Sequence, residues 1–509
     1  MGPKLTAAES FVLCVGVKMF IKVGLTVVYG VSLKRLQCAC SRVILIVQKN
    51  KEVFLCLYIA AWKPPERFRQ NKNFTGGHMT KKEFKAAMLR GLGRCVIAVR
   101  QEPEKYRELV LWACKRNYAY DAQSEGTRSW YTYTMANAYP DKETFISATA
   151  ETLKKYRPNG SWDLLHLSEL LMFFAMDGYE SARKALEEKY REVLAGMFAR
   201  KRRPNRVFHQ LSDLEQLGLV LAADSKSFLR IARDFGRLYR EKDYLQDGDF
   251  AWFFASKGDR YRKAMERAAK KDEDIAGFLR REQASIVRME ASRLQRKALP
   301  QEQRKGIVLS RWLAKKNDPE MMERYACAYR AESQPEARAE ALEAFCFCPY
   351  PGDPQPVIED TQSPCEALQN TAWRALEHLR HPSVRSFALG NAADGIHTPG
   401  NFGLLVTNYL PQDAQLLEKL LYERITAGDW DGVHAAGMDI YRAFDKDSGI
   451  PHPKHLLPLL YEYTPCSFCR ESAITYMAVY RMLTKGILEE CLFDSNDDIR
   501  RYAAKRLNG

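Results

Sequence analysis

Apolar residues recur at helical spacing from Met79 to the end of the chain, and almost no segment alternates as a strand does. The pattern predicts one amphipathic helix over residues 81–100 and another over residues 260–281. Residues 164–176 are apolar on every side, which is typical of a helix covered by several neighbours. The first of these helices places on its apolar face Phe84, Met88, Leu92, Val96 and Val99. A succession of helices with no strand to organise them folds as a bundle or a solenoid.

The length of 509 residues excludes a single ordinary core, because one hydrophobic core stops growing at about 250–300 residues. The formal charge of +15 would suggest a nucleic-acid partner, but this charge is unevenly distributed along the chain. Residues 1–78 hold 12 basic and 3 acidic residues, so the remaining 431 residues hold 66 basic and 60 acidic ones. The resulting charge of +6 on so large a body gives little long-range steering of charged ligands.

Residues 1–78 carry most of the excess positive charge and three apolar stretches. The longest stretch, residues 11–33, contains Lys18 and Lys22, and a central lysine costs about 2.5–3.5 kcal/mol on insertion into a membrane. The tetrapeptide Gly76-Gly77-His78-Met79 can be encoded by a bacterial ribosome-binding sequence followed by a start codon. We therefore expect translation to start at Met79, with residues 1–78 as upstream sequence. Membrane association is expected only if those residues belong to the protein.

A short sequence frame occurs three times in the C-terminal part of the chain. Residues 335–342 match residues 382–389, 47 positions later, at a proline, an apolar residue, an arginine, an alanine and a leucine. A third copy closes the chain at residues 499–507. In the shared frame, apolar-Arg-x-x-Ala-x-x-x-apolar, the first residue, the alanine and the last residue lie on one helix face. We expect Ser495 to cap the helix of the third copy, with Asp498 three residues further on.

The frame resembles the second helix of HEAT repeats, whose period is about 40–47 residues. The resemblance implies an all-α fold, an α-solenoid of stacked antiparallel helix pairs that forms a HEAT-like superhelix. It covers residues 319–509, whereas residues 79–318 contain helix pairs without the frame. We predict these as two regions of the protein and predict a proline-rich loop at residues 349–356 within the second.

Two cysteines and two histidines near the C-terminus have the residue types of a zinc site. Cys466 and Cys469 are three residues apart, and His452 and His455 precede them. The intervening residues 456–461 are apolar and predict a helix, so a rise of about 1.5 Å per residue would separate the two pairs by roughly 16 Å. We therefore expect these cysteines to pack against a neighbouring helix, and we predict no metal site and no cofactor.

Two basic segments are the best candidates for contacts with nucleic acid or with an acidic partner, because each phosphate contact adds salt-dependent affinity. The first segment contains Arg200, Lys201, Arg202, Arg203 and Arg206. The second contains Arg293, Arg296 and Lys297. The competing interpretation is a solvated loop followed by an exposed helix face.

No catalytic motif occurs in the sequence: Arg90-Gly91-Leu92-Gly93-Arg94 lacks both the preceding strand and the third glycine of a phosphate-binding loop. The nine cysteines beyond residue 78 form no disulfide framework, which is typical of a reducing cytosol. We therefore predict a non-enzymatic cytoplasmic scaffold that binds a protein partner through the concave surface of its solenoid.

The alternative is a nucleic-acid-binding solenoid, similar to the HEAT-like glycosylases that act on alkylated DNA. Tryptophans are available for such a groove but match no motif of that family: Trp112, Trp130, Trp162 and Trp252.

Overall fold

The structure is a computed structural model, and it describes residues 79–157, 162–199, 207–222, 227–242, 259–297, 306–393, 399–446 and 451–508. Within these ranges the chain forms 25 α-helices and three short 3-10 helices, with no strand. The all-α prediction is therefore confirmed for the described part of the chain. No helix in these ranges combines the length and the apolar character needed to cross a bilayer.

The first twelve helices lie between residues 81 and 297. They are α1 (Lys81–Arg90), α2 (Arg94–Gln101), α3 (Pro103–Ala113), α4 (Ala122–Glu125), α5 (Ser129–Ala136), α6 (Glu143–Lys155), α7 (Asp163–Met176), α8 (Glu180–Ala199), α9 (Val207–Leu221), α10 (Phe228–Glu241), α11 (Asp259–Ala269) and α12 (Glu273–Lys297).

The remaining thirteen helices lie between residues 306 and 508. They are α13 (Gly306–Lys316), α14 (Pro319–Ala331), α15 (Pro335–Leu342), α16 (Gln355–Asp360), α17 (Glu366–Leu376), α18 (Pro382–Ala393), α19 (Pro399–Thr407), α20 (Ala414–Ala427), α21 (Trp430–Lys446), α22 (Leu457–Tyr463), α23 (Ser467–Val479), α24 (Lys485–Cys491) and α25 (Asp497–Asn508). Residues 349–354 are outside these helices, and Pro356 lies in the first turn of α16.

Two segments that the apolar pattern predicts as single helices are each divided in two. Residues 81–100 form α1 and α2, because Gly91 ends α1 in the left-handed conformation with φ 79°. Residues 260–281 form α11 and the first part of α12, with a turn before Asp272. The Asp272 carboxylate accepts a hydrogen bond from the backbone of Asp274 at the start of α12. Apolar periodicity continues across both turns, so periodicity alone could not reveal them.

Most of the described helices pack on the neighbours that stand one and two places away along the chain. In one compact unit, which contains residues 79–292 and 483–508, α7 packs on α5, α6, α8 and α9. Ten of its fourteen residues are buried, as the all-round apolar sequence predicts. The other unit contains residues 293–465 and 469–482. There α17 packs on α15, α16 and α19, and α21 packs on α19, α20 and α22.

The three copies of the sequence frame all form helices, namely α15, α18 and α25. Val384 and Ala388 in the second copy, and Ile499 and Ala503 in the third, are buried as the frame predicts. In the first copy the buried residues of the helix are Ala339 and Leu342, so its buried face is rotated from the predicted one. The longer α18 and α25 continue beyond the frame alanine, whereas α15 ends at Leu342.

The frame arginines of the first two copies make the same kind of contact. Arg338 Nε lies 2.8 Å from a carboxylate oxygen of Asp360, at the end of α16. Arg385 donates to Asp413, which ends the 3-10 helix Pro411–Asp413, at 2.5 Å. All four side chains are largely buried. Arg338 therefore connects α15 to α16, whereas Arg385 connects α18 to the 3-10 helix that follows α19.

The C-terminal helices α24 and α25 pack against the first helices of the same unit. Arg94 in α2 pairs with Glu490 in α24 at 2.8 Å, and Arg500 in α25 stacks over the Trp130 ring at 3.5 Å. Burial lowers the pKa of Arg500 to about 10 despite the nearby carboxylate of Asp497. Residues almost 400 positions apart are thus joined in one core.

The capping prediction for the third copy is wrong by one residue. The side chain of Asn496 accepts the backbone N–H groups of Asp498 and Ile499, so Asn496 caps α25. Ser495 Oγ instead accepts a hydrogen bond from the guanidinium of Arg128 at 2.5 Å. Because Asn496 accepts the free N–H groups at the start of α25, Ser495 can contact the N-terminal helices instead.

Candidate functional site

Sulfur and nitrogen ligand atoms converge where α23 begins beside α21. Cys469, in the first turn of α23, places its Sγ 3.3 Å from Nδ1 of His434 in α21. Met438 lies one turn after His434, and its sulfur is 3.9 Å from the same thiol. Cys466 stands three residues before Cys469, and the ligand atoms of His434, Cys466 and Cys469 all lie within 4.8 Å of one another. Both cysteines are buried, and His434 is half-buried.

The histidine in this group is different from those that the sequence pattern brought forward. His455 Nε2 contacts the backbone carbonyl of Ala414, and the His452 ring packs on Phe444. The intervening helix α22 forms as predicted and separates these histidines from the cysteines along the chain. The histidine that contacts the cysteines is instead His434, which lies 32 residues before Cys466 in the sequence.

The same helix α21 carries a buried group of charges. Arg442 pairs with Glu377 at 2.6 Å and with Asp439 at 3.4 Å, so one guanidinium faces two carboxylates. Burial raises the pKa of Asp439 to about 7, and the Glu377 carboxylate adds to this effect. The charge of Arg442 opposes the shift but is divided between two acids.

Exposed aromatic side chains lie at the junction of α20 and α21. Tyr422 in α20 is 52% exposed, and Trp430 at the start of α21 is 38% exposed. Trp430 stands four residues before His434, so the two share one face of α21. Large exposed aromatic residues are frequent at protein–protein contact points.

The structure does not describe the side chains of the basic residues predicted from the sequence. Arg200, Lys201, Arg202, Arg203 and Arg206 lie outside the described residues. Arg293, Arg296 and Lys297 belong to the last turns of α12, and their side chains are outside what the structure describes. The nucleic-acid prediction therefore stays a prediction.

The glycines of the segment Arg90-Gly91-Leu92-Gly93-Arg94 have a packing role. A Cβ at Gly93 would overlap the backbone carbonyl of Glu490, and one at Gly91 would overlap the side chain of Ser495. The two glycines thus allow the C-terminal segment to approach the chain between α1 and α2.

No protein-family model, no curated protein and no solved structure matches this chain. Its function must therefore be inferred from its own residues.

Proposed function

We propose that this protein is a non-enzymatic HEAT-like α-solenoid that binds a protein partner. The packing of most described helices on neighbours one and two places along the chain supports this proposal. In stacked repeat proteins each unit contacts only the units beside it, and the stack offers an extended binding surface without any cofactor. The concave face of such a stack is the surface on which we expect the partner.

The observation that carries the proposal is the repeated ion pair of the sequence frame. Arg338 pairs with Asp360, and Arg385, 47 residues later, pairs with Asp413. In both copies the frame arginine pairs with an aspartate of a later helical segment, 22 residues further on in the first copy and 28 in the second. This regularity is typical of a repeat that is built by duplication of one helix pair.

We expect the aromatic pair Tyr422 and Trp430 to anchor the partner. Aromatic residues contribute large contact areas at low entropic cost, and they dominate binding energies when they become buried in a partner. The described core of this unit does not cover them. Exposed charges beside them, such as Lys419, fit the polar rim that surrounds such anchors.

A pull-down with the full chain tests the proposal, using a lysate of the cells from which the gene comes. Half of the lysate is treated with nuclease. We expect the unaltered protein to retain the same partner from both halves. The double variant Tyr422→Ala/Trp430→Ala should retain at least about tenfold less, because hot-spot aromatic residues contribute about 2 kcal/mol or more each.

The matched control is Met176→Ala, which removes another large exposed side chain in the other unit. This variant should retain the partner at the level of the unaltered protein. Equal retention by all three proteins would refute the role of Tyr422 and Trp430. Recovery of nucleic acid alone, only from untreated lysate and only at low salt, would refute the scaffold and favour the basic segments.

A further inference from the structure

We propose that His434, Cys466 and Cys469 bind one Zn²⁺ ion. Among the described residues these three form the only group of three or more His, Cys, Asp or Glu side chains whose ligand atoms converge. The ligands are two thiols and one imidazole. Soft sulfur and borderline nitrogen ligands select zinc and disfavour Mg²⁺ and Ca²⁺, which require oxygen ligands.

The distance between the first two ligand atoms agrees with tetrahedral zinc. Bonds of about 2.3 Å to sulfur and about 2.0–2.1 Å to nitrogen, at an angle of about 109°, place the two ligand atoms about 3.6 Å apart. The separation between Cys469 Sγ and His434 Nδ1 is 3.3 Å. The two atoms therefore need to move apart by only a few tenths of an ångström to coordinate the ion.

A thiol–imidazole hydrogen bond connects only Cys469 and His434, whereas a bound ion would connect all three side chains. Cys466 brings a second buried sulfur within 4.8 Å of both other ligand atoms. Cysteines at positions i and i+3 beside the start of a helix point to the same side, so both thiols can reach one ion.

Zinc takes four ligands, so three protein ligands leave one position for water. Water can reach this position because His434 is only half-buried. The thioether of Met438 lies on the same side of α21, but zinc prefers thiolate and imidazole to thioether. The bound ion would connect the first turn of α23 to α21 and would thus fix the helix that begins at Trp430. Binding energy of a structural ion contributes directly to folding.

The test uses the full 509-residue chain, produced with added Zn²⁺ and purified without chelator. Elemental analysis should give one zinc per chain. Replacement of zinc by Co²⁺ should produce the intense visible bands of a tetrahedral ion together with a thiolate charge-transfer band. Removal of zinc from the unaltered protein by a chelator should lower the thermal unfolding temperature, and added Zn²⁺ should restore it.

Two variants, Cys469→Ser and His434→Gln, should lose the bound zinc and the cobalt spectrum. His434→Cys keeps a third soft ligand and should retain the ion with a changed charge-transfer band. The matched control is Cys491→Ser, which alters another buried cysteine at the end of α24 and should keep one zinc per chain. Circular dichroism of each variant verifies that the helices are formed, so loss of metal is measured on folded protein.

Several results would overturn the proposal. These are the absence of zinc from the unaltered protein, retention of zinc by folded Cys469→Ser, or binding of Cu⁺ without binding of Zn²⁺. A disulfide between Cys466 and Cys469 in protein purified without reductant and without metal would instead assign the two thiols to redox chemistry.

Discussion

The backbone carbonyl of Glu490 lies directly against Gly93, in the place where any other residue would carry its Cβ. Gly93 itself has ordinary helical backbone angles, so no conformational reason requires a glycine there. The reason is the close approach of α24 to the start of α2. This approach joins the first and last helices of the unit, together with the ion pair between Arg94 and Glu490.

Gly93→Ala should therefore destabilise the protein. The added methyl group meets backbone atoms, which cannot rotate away, and such overpacking costs about 1–3 kcal/mol. The urea midpoint should fall accordingly. Gly196→Ala is the matched control, because Gly196 lies in α8 with open space around its Cα. That change should raise stability by about 0.5–1 kcal/mol through helix propensity. Equal effects of the two substitutions would contradict the close approach.

A buried ion pair lies in the same unit, where Arg128 also donates to Ser495 of the C-terminal segment. Arg128 donates to Glu125 at 2.8 Å, and their side chains are 2% and 0% exposed. Arg128→Met should cost about 3–5 kcal/mol, because it leaves a carboxylate buried without its cation. The double variant Arg128→Met/Glu125→Gln should recover part of this loss. Urea unfolding of the two variants measures the difference, and a double variant less stable than Arg128→Met would refute the interpretation.

The ion pair of Arg128 and Glu125 should also make the free energy of unfolding decrease at acidic pH. Burial acts to raise the pKa of Glu125, but Arg128 and the hydrogen bonds to the carboxylate outweigh it, so the pKa lies below its usual range. A carboxyl with a lowered pKa stabilises the fold above its unfolded pKa of about 4.3, and this contribution disappears as the pH falls through the folded value. Unfolding midpoints of Glu125→Gln should depend less on pH than those of the unaltered protein between about pH 5 and pH 3.

The sequence predicts the helices well because periodicity is a local property. The short frame also predicts buried positions in its second copy, where Val384 and Ala388 are buried, but not in its first copy, where Ala339 and Leu342 are buried instead. It cannot predict the contact between α24 and α2, because partners 396 residues apart leave no periodic signal. The two glycines at 91 and 93 are the only local sign of this contact, and their spacing also resembles part of a phosphate-binding loop.

The cysteine–histidine group illustrates a second limit. Spacing along the chain points to His452 and His455, which are nearest to the cysteines in sequence. In the structure, however, α23 begins beside α21, so Cys469 contacts His434, which lies two helices earlier in the chain. Ligand distance is set by packing, which motif spacing does not record.

The frame arginines give a prediction that separates a structural repeat contact from an ordinary surface pair. Arg385 and Asp413 are largely buried, and they connect α18 to the 3-10 helix that follows α19. A double-mutant cycle with Arg385→Met and Asp413→Asn should give a coupling energy of about 1–3 kcal/mol. The control pair Lys419 and Glu423 is exposed and should give about 0.2–0.5 kcal/mol. Equal coupling in both cycles would contradict a structural role for the frame arginine.

The stability of the protein should also depend on Asp439, because burial and the neighbouring Glu377 raise the pKa of this residue to about 7. An aspartate in the unfolded chain titrates at about 3.9, so the unfolded state loses this proton first. The free energy of unfolding should therefore decrease as the pH rises from about 4 to about 7, by roughly 2–4 kcal/mol at about 1.4 kcal/mol per pKa unit. Asp439→Asn mimics the neutral acid and should remove this dependence.

Urea midpoints at pH 5 and pH 8 measure the effect. We expect Asp439→Asn to be more stable than the unaltered protein at pH 8, with a smaller difference at pH 5. The exposed Glu418 gives the control Glu418→Gln, which should change neither midpoint. If Arg442 instead holds Asp439 ionised throughout, the asparagine variant would be the less stable protein at pH 8. The sign of that single difference therefore decides whether one arginine can neutralise both Glu377 and Asp439.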